Sequence, residues 1–188
     1  NCHNIIFNTG TSLNIPVGFT LNVTGNWTGA NTVVSGPGKV NFTSGGAQHT
    51  GNTTFQGVLN VAAGAILSTG DGITMASGAN LMHGTGTIGA GGSITGQVKV
   101  QRLGTYGNNY NYWSSPIANG NVSSLGLNRY RYNPASASAP GLTGLITGWV
   151  SSNSGAMTVG RGYIATASGL ASFTGTANNG NLSYGPMV

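Results

Sequence analysis

Catalysis needs particular side chains at particular spacings, and this 188-residue chain supplies few of them. One acidic residue, Asp71, stands against six lysines and arginines and three histidines. Hydrolysis by paired carboxylates takes two Asp or Glu side chains about 5–10 Å apart, so a single carboxylate excludes it, and the low charge count argues against a polysaccharide lyase, which would need carboxylates and bases along a β-helix face. Calcium takes about six to eight oxygen ligands, commonly several carboxylates, which excludes acidic calcium-binding repeats. Zinc would have to come from Cys2, His3, His49 and His83, which show no local metal-ligand spacing. A Ser-His-Asp triad is formally open through Asp71 with His49 or His83, but no Gly-x-Ser-x-Gly elbow accompanies it. A Lys–Asn isopeptide bond would have only Asp71, beside Lys39 or Lys99, to promote it. The histidines are expected on ladders or at the surface. No catalytic residue, metal or cofactor is expected.

Binding chemistry is better supplied. Tyr106, Tyr110, Tyr112, Tyr130 and Tyr132 fall close together, with Trp113 among them. Such rings stack on sugar faces while Asn side chains bond hydroxyls, and the same rings can equally be strand-packing aromatics. Tyr106, Tyr110, Tyr130 and Tyr132 are the candidate contacts to a glycan or partner. In Arg129-Tyr130-Arg131-Tyr132, strand alternation puts Arg on one face and Tyr on the other. A nucleic-acid footprint needs a cluster or stripe of basic residues, whereas Lys39, Lys99, Arg102 and Arg161 are scattered. The net charge of +5 reflects missing acids, and nucleic acid is not an expected partner.

The elements that must position these residues are strands. Gly, Asn, Thr and Ser make up about half the chain, and charged residues only 4%. Glycine three residues before an aliphatic recurs at Gly10, Gly18, Gly64, Gly78 and Gly91. Alternating apolar pairs recur at Leu13/Ile15, Leu21/Val23, Val40/Phe42, Leu59/Val61, Ile73/Met75 and Val98/Val100. Alternation over so few residues means short half-buried strands, with glycine supplying the positive-φ corner before them. Short strands at short intervals predict a β-solenoid over residues 1–100, with about 20–25 residues per coil and four to five coils. Stacked Asn side chains should bond along its ladders.

Residues 101–188 read as a compact antiparallel β domain. Its strands are expected at Val98–Leu103, Tyr110–Ser114, Arg129–Tyr132, Gly148–Val150, Arg161–Ala165 and Ala171–Thr174, around a core of Trp113, Tyr163 and Phe173. Asn178-Asn179-Gly180 reads as a tight turn. The expected fold is thus all-β: a right-handed parallel β-helix or solenoid followed by a small antiparallel β-sandwich-like domain. Cap residues are not evident at either solenoid end. Cys2, the single cysteine, has no internal partner. The opening Asn1-Cys2-His3 carries no signal peptide, and the reading favours a piece of a larger polypeptide. No apolar stretch approaches the roughly 20 residues of a membrane helix, so membrane insertion is not expected.

The segment from Cys2 to Trp27 resembles large secreted surface proteins of Bacteroidetes. Val100-Gln-Arg-Leu103, Tyr112-Trp-Ser-Ser-Pro116, Gly160-Arg-Gly-Tyr-Ile164 and Phe173-Thr-Gly-Thr176 resemble a module that often follows such a segment. The resemblance implies type IX secretion, a multidomain architecture and an extracellular or cell-surface location, and brings no catalytic residues. The expected function is a non-catalytic structural or adhesive segment, an adhesin or filament subunit. It would self-associate through solenoid ends, or be covered there by neighbouring domains of the same polypeptide, and would contact surface glycans. The alternative is a carbohydrate-binding module attached to a secreted enzyme.

Overall fold

The computed structural model describes residues 1–84, 91–104, 110–133, 148–166 and 169–179. Its first part is a parallel β-solenoid, in which four successive coils each contribute one short strand to each of three sheets and a last one adds a strand to two of them. The first sheet stacks β1 (Ile5–Ile6), β4 (Trp27–Thr28), β7 (Ala47–Thr50), β10 (Ile66–Thr69) and β13 (Ser93–Thr95). The second stacks β2 (Ser12–Asn14), β5 (Thr32–Ser35), β8 (Thr53–Phe55), β11 (Ile73–Met75) and β14 (Gln97–Leu103). The third stacks β3 (Thr20–Val23), β6 (Lys39–Phe42), β9 (Val58–Val61) and β12 (Asn80–His83). Neighbouring coils pair in parallel throughout. Residues stacked in early coils lie 19–22 apart in sequence, widening to 27 at the last coil.

The alternating pairs face inward, as their period of two requires. Val40, Phe42, Leu59, Val61, Ile73 and Met75 are all buried. Gly10, Gly18, Gly64 and Gly78 adopt positive φ at corners, whereas Gly91 does not. A second role for glycine comes from stacking. A Cβ on Gly72 would collide with the Gly51 carbonyl, and one on Gly51 with the Gly29 carbonyl, so this column of corners admits no side chain.

Outside, the amide ladder forms as expected. Asn22 donates to Asn1 at 3.0 Å, Asn41 to Asn22 at 2.7 Å, and Asn60 to Asn41 at 2.6 Å. Asn22 and Asn41 each give one N–H and receive one, so the uncharged side chains extend the backbone ladder. The run stops at the next coil, where Met82 stands opposite Asn60. Asn41→Ala removes both bonds of the middle member and leaves two partly sheltered groups unpaired. A loss of about 1–2 kcal/mol is expected, read as a lower denaturant midpoint at unchanged slope.

The last described coil is closed by the chain that follows. β19 (Leu170–Thr176) pairs antiparallel with β14 along its whole length, from Gln97–Thr176 to Leu103–Leu170. The Asn179 side chain takes the Ile94 N–H at 3.0 Å and donates to the Ile94 carbonyl at 2.7 Å, standing in for a further strand on β13. Arg102 donates to the carbonyls of Ala76, Ala79 and Gln101, filling the corner between β11 and β12. The caps absent from the sequence reading are therefore a returning strand and two side chains. Asn178, read as part of a tight turn, donates to the Ser115 carbonyl, and Gly180 lies outside the described residues. At the other end Ile5, Leu13 and Leu21 face inward but are only half-buried, whereas Trp27, Val34 and Val40 one coil on are covered.

The later strands form a four-stranded antiparallel sheet. Its order is β15 (Tyr110–Trp113), β18 (Tyr163–Thr166), β16 (Leu127–Tyr132), β17 (Trp149–Ser151). All six strands expected after residue 97 are present within a few residues of their predicted bounds. The sixth, β19, joins the solenoid instead of this sheet, and the layer facing it comes from there: Trp113 meets Phe173 at a ring-centroid separation of 6.5 Å. Tyr163 and Phe173 are buried and Trp113 packs partly buried against them, so the core of this sheet is continuous with that of the solenoid.

Candidate functional site

Strand alternation gives the four-stranded sheet two unlike faces. One carries Trp113, Tyr163 and Ala165 into the core. The other follows from the pairing register: Tyr110 opposes Thr166, Tyr112 and Tyr130 oppose Ile164, and Tyr132 opposes Trp149. Opposed residues share a face, so Tyr110, Tyr112, Tyr130, Tyr132 and Trp149 lie together on the side away from the core.

A local irregularity makes this possible. Leu127 pairs with Thr166 but Tyr130 pairs with Ile164, so two residues of β16, Asn128 and Arg129, stand opposite one of β18, Ala165. The extra residue is a β-bulge, and Asn128, at φ 50°, has the left-handed conformation that Asn tolerates. Its side chain donates to Thr166 Oγ1 at 3.3 Å. Past the bulge Tyr130 and Tyr132 face outward, and Arg131 points to the opposite side with Tyr163 and Val150 across from it. Arg129 turns back on the backbone, with Nε 2.6 Å from the Gly126 carbonyl and Nη1 2.7 Å from that of Asn153. Both cationic groups of the Arg-Tyr-Arg-Tyr strand are thereby kept off the ring face.

The rings touch one another across strands. Tyr110 and Tyr130 meet edge-on at 6.0 Å, Tyr132 and Trp149 edge-on at 5.4 Å, and Tyr112 and Trp149 at 6.2 Å. Beneath them Ile164 is buried, while Tyr112 remains 81% exposed. Desolvation, with the Tyr130 phenol beside it, raises the Tyr110 pKa above its ordinary 10.0, so the phenol stays neutral. Thr166 and Ser151 supply hydroxyls between the rings, and no described residue of the face is ionic near neutral pH. At the β15 edge, Tyr112 also borders a cleft of about 320 Å³ with Arg102, Asn111, Trp113 and Ser114 in its walls.

Of the candidate contacts, the structure brings Tyr110, Tyr130 and Tyr132 onto one face; Tyr106 lies outside the described residues. Tyr112 joins them and Trp113 goes to the core side. Trp149 was missed as a site residue. Its signal was present as the strand expected at Gly148–Val150, but which face that strand shows depends on its partner, 17 residues away in sequence at Tyr132.

The groups weighed for catalysis are dispersed. Asp71 Oδ1 accepts the Gln97 N–H at 2.8 Å, and His83 Nδ1 lies 3.0 Å from the Gly92 carbonyl oxygen. His49 lies on a ladder of the first sheet, stacked between Trp27 and Thr69, with its ring buried inside the solenoid. Among the described residues no three of His, Cys, Asp and Glu come together. The chain matches no protein-family model, no curated protein and no solved structure.

Proposed function

We propose that this chain is a non-catalytic adhesive segment of an extracellular bacterial surface protein, in which a β-solenoid stalk carries a carbohydrate-binding face. The observation that carries the reading is the cluster of five Tyr and Trp rings on the outer face of the four-stranded sheet. Tyr110, Tyr112 and Tyr132 are exposed beside the half-buried Tyr130 and Trp149, and contiguous exposed apolar patches mark interaction sites. Tyr and Trp present an apolar ring with a polar tip, which suits a sugar whose C–H face and hydroxyl rim alternate. An Asn- and Thr-rich solenoid with hydrogen-bonded ladders is a suitable spacer.

Retention of the purified chain on polysaccharide-coated beads tests this. Trp149→Ala should weaken retention at least about tenfold, the size of a central aromatic contact, with the circular dichroism spectrum unchanged. Equal retention of variant and wild type removes the face from the binding role.

A filament subunit has narrower support. β19, Asn179 and Arg102 occupy one end of the solenoid, where head-to-tail stacking would need free edges. Electron microscopy of the purified chain should show separate particles, and continuous fibres would return assembly to first place.

A further inference from the structure

The face described above has two properties that together specify the kind of glycan it takes: the angles between its rings and the absence of charge. Flat crystalline polysaccharides are contacted by aromatic rings lying in one plane, because the surface they meet is itself planar. Here the interplanar angles are 70° for Tyr110–Tyr130, 58° for Tyr112–Trp149 and 67° for Tyr132–Trp149. No plane touches these rings face-on together. A single hydrated chain twists from one sugar to the next and offers separate faces at separate angles, which is the arrangement that tilted rings can meet.

The charge pattern is equally selective. Every charged side chain after Asp71 is a cation, so the part of the chain that holds the site has no acid at all. An acidic polysaccharide would be attracted to it, but recognising uronate or sulfate groups takes cationic donors aimed at them. The bulge at Asn128 sends Arg131 to the core side, and Arg129, like Arg102 in the cleft wall beside Tyr112, is held by backbone carbonyls. The outer face offers phenols, an indole, Thr166 and Ser151. Resting on the carbohydrate-binding reading, we infer that the ligand is a single, soluble, uncharged glycan chain lying across Tyr112, Trp149 and Tyr132.

The experiment is native affinity electrophoresis in gels containing a neutral soluble β-glucan, a neutral galactomannan or alginate, with pull-down on microcrystalline cellulose and chitin alongside. Each is run at low and high salt, since attraction between exposed charges is screened at high salt. Tyr112→Ala is the main variant, because a side chain 81% exposed contributes little to folding; Tyr132→Ala is the second. Retardation by a neutral soluble glycan that persists at high salt and falls about tenfold or more in both variants is the expected result. Ring-dependent binding confined to the crystalline powders or to alginate overturns this inference and leaves carbohydrate binding standing. Ring-independent binding, no binding to any of the five probes, or a chain dimer that Tyr112→Ala dissociates overturns both.

Discussion

Trp27→Ala is expected to cost about 3–5 kcal/mol, the range for removing a large buried aromatic, and to leave little folded solenoid. Trp27 is fully buried, and three rings surround it: Phe7 at 4.8 Å, Phe55 at 5.7 Å and Phe42 at 6.1 Å. These come from the first, second and third coils, so one side chain ties consecutive rungs together. Its indole N–H donates to Thr53 Oγ1 at 3.0 Å, and Thr53 is itself buried. Alanine therefore opens a cavity and also strips a buried hydroxyl of its donor. Trp27→Phe separates the two effects: it keeps most of the packing and loses the hydrogen bond, for an expected cost of about 1–3 kcal/mol. Denaturant unfolding of the three proteins checks the order, and a Trp27→Ala midpoint equal to wild type would remove this cluster as the centre of the core.

Acid should weaken the solenoid through His49. Burial lowers its pKa from 6.5 to about 4, because an imidazolium inside the coil loses its hydration, a loss that backbone hydrogen bonding offsets only in part. In the unfolded chain the group titrates at its ordinary value, so between these two pH values the unfolded state binds more protons. The contribution of neutral His49 is accordingly complete above about pH 6.5 and is lost as the pH falls toward 4. The full loss is about 3 kcal/mol. The neighbours stacked on His49 in the first sheet are Trp27 and Thr69, neither of which carries a negative charge. His49→Leu should flatten the pH dependence over this interval. Unfolding free energies for wild type and variant at pH 7 and pH 4.5 decide the matter, and parallel pH slopes for the two would exclude His49 as the source.

These two residues also mark the limit of what local pattern conveys. Val40/Phe42 and Leu59/Val61 point inward as their alternation says, because leucine, valine and phenylalanine have one favourable side of a strand. Tryptophan, threonine and histidine are amphipathic enough to stand on either side. Thr32, Thr53 and His49 are buried in places that a reading by residue type assigns to the outside. The ring face followed the same rule. Tyr130 and Tyr132 were separable from Arg129 and Arg131 by period alone, but that the tyrosine side faces solvent depends on which side of the sheet meets Phe173.

By itself the sequence determined that this protein is all-β, with a coiled repeat first and antiparallel strands after, and it located most inward pairs and corner glycines. Those features rest on periods of two residues within a strand and about 20 between coils, which remain visible in the chain. Tertiary structure alone decided how the solenoid is closed and where the aromatic face is assembled. The Asn179 amide meets Ile94 across 85 residues, β19 leaves its neighbours to pair with β14, and an extra residue at Asn128 sets which side chains share a face. Contacts of that kind are chosen by competition among surfaces already folded, and they leave no periodic trace in the sequence.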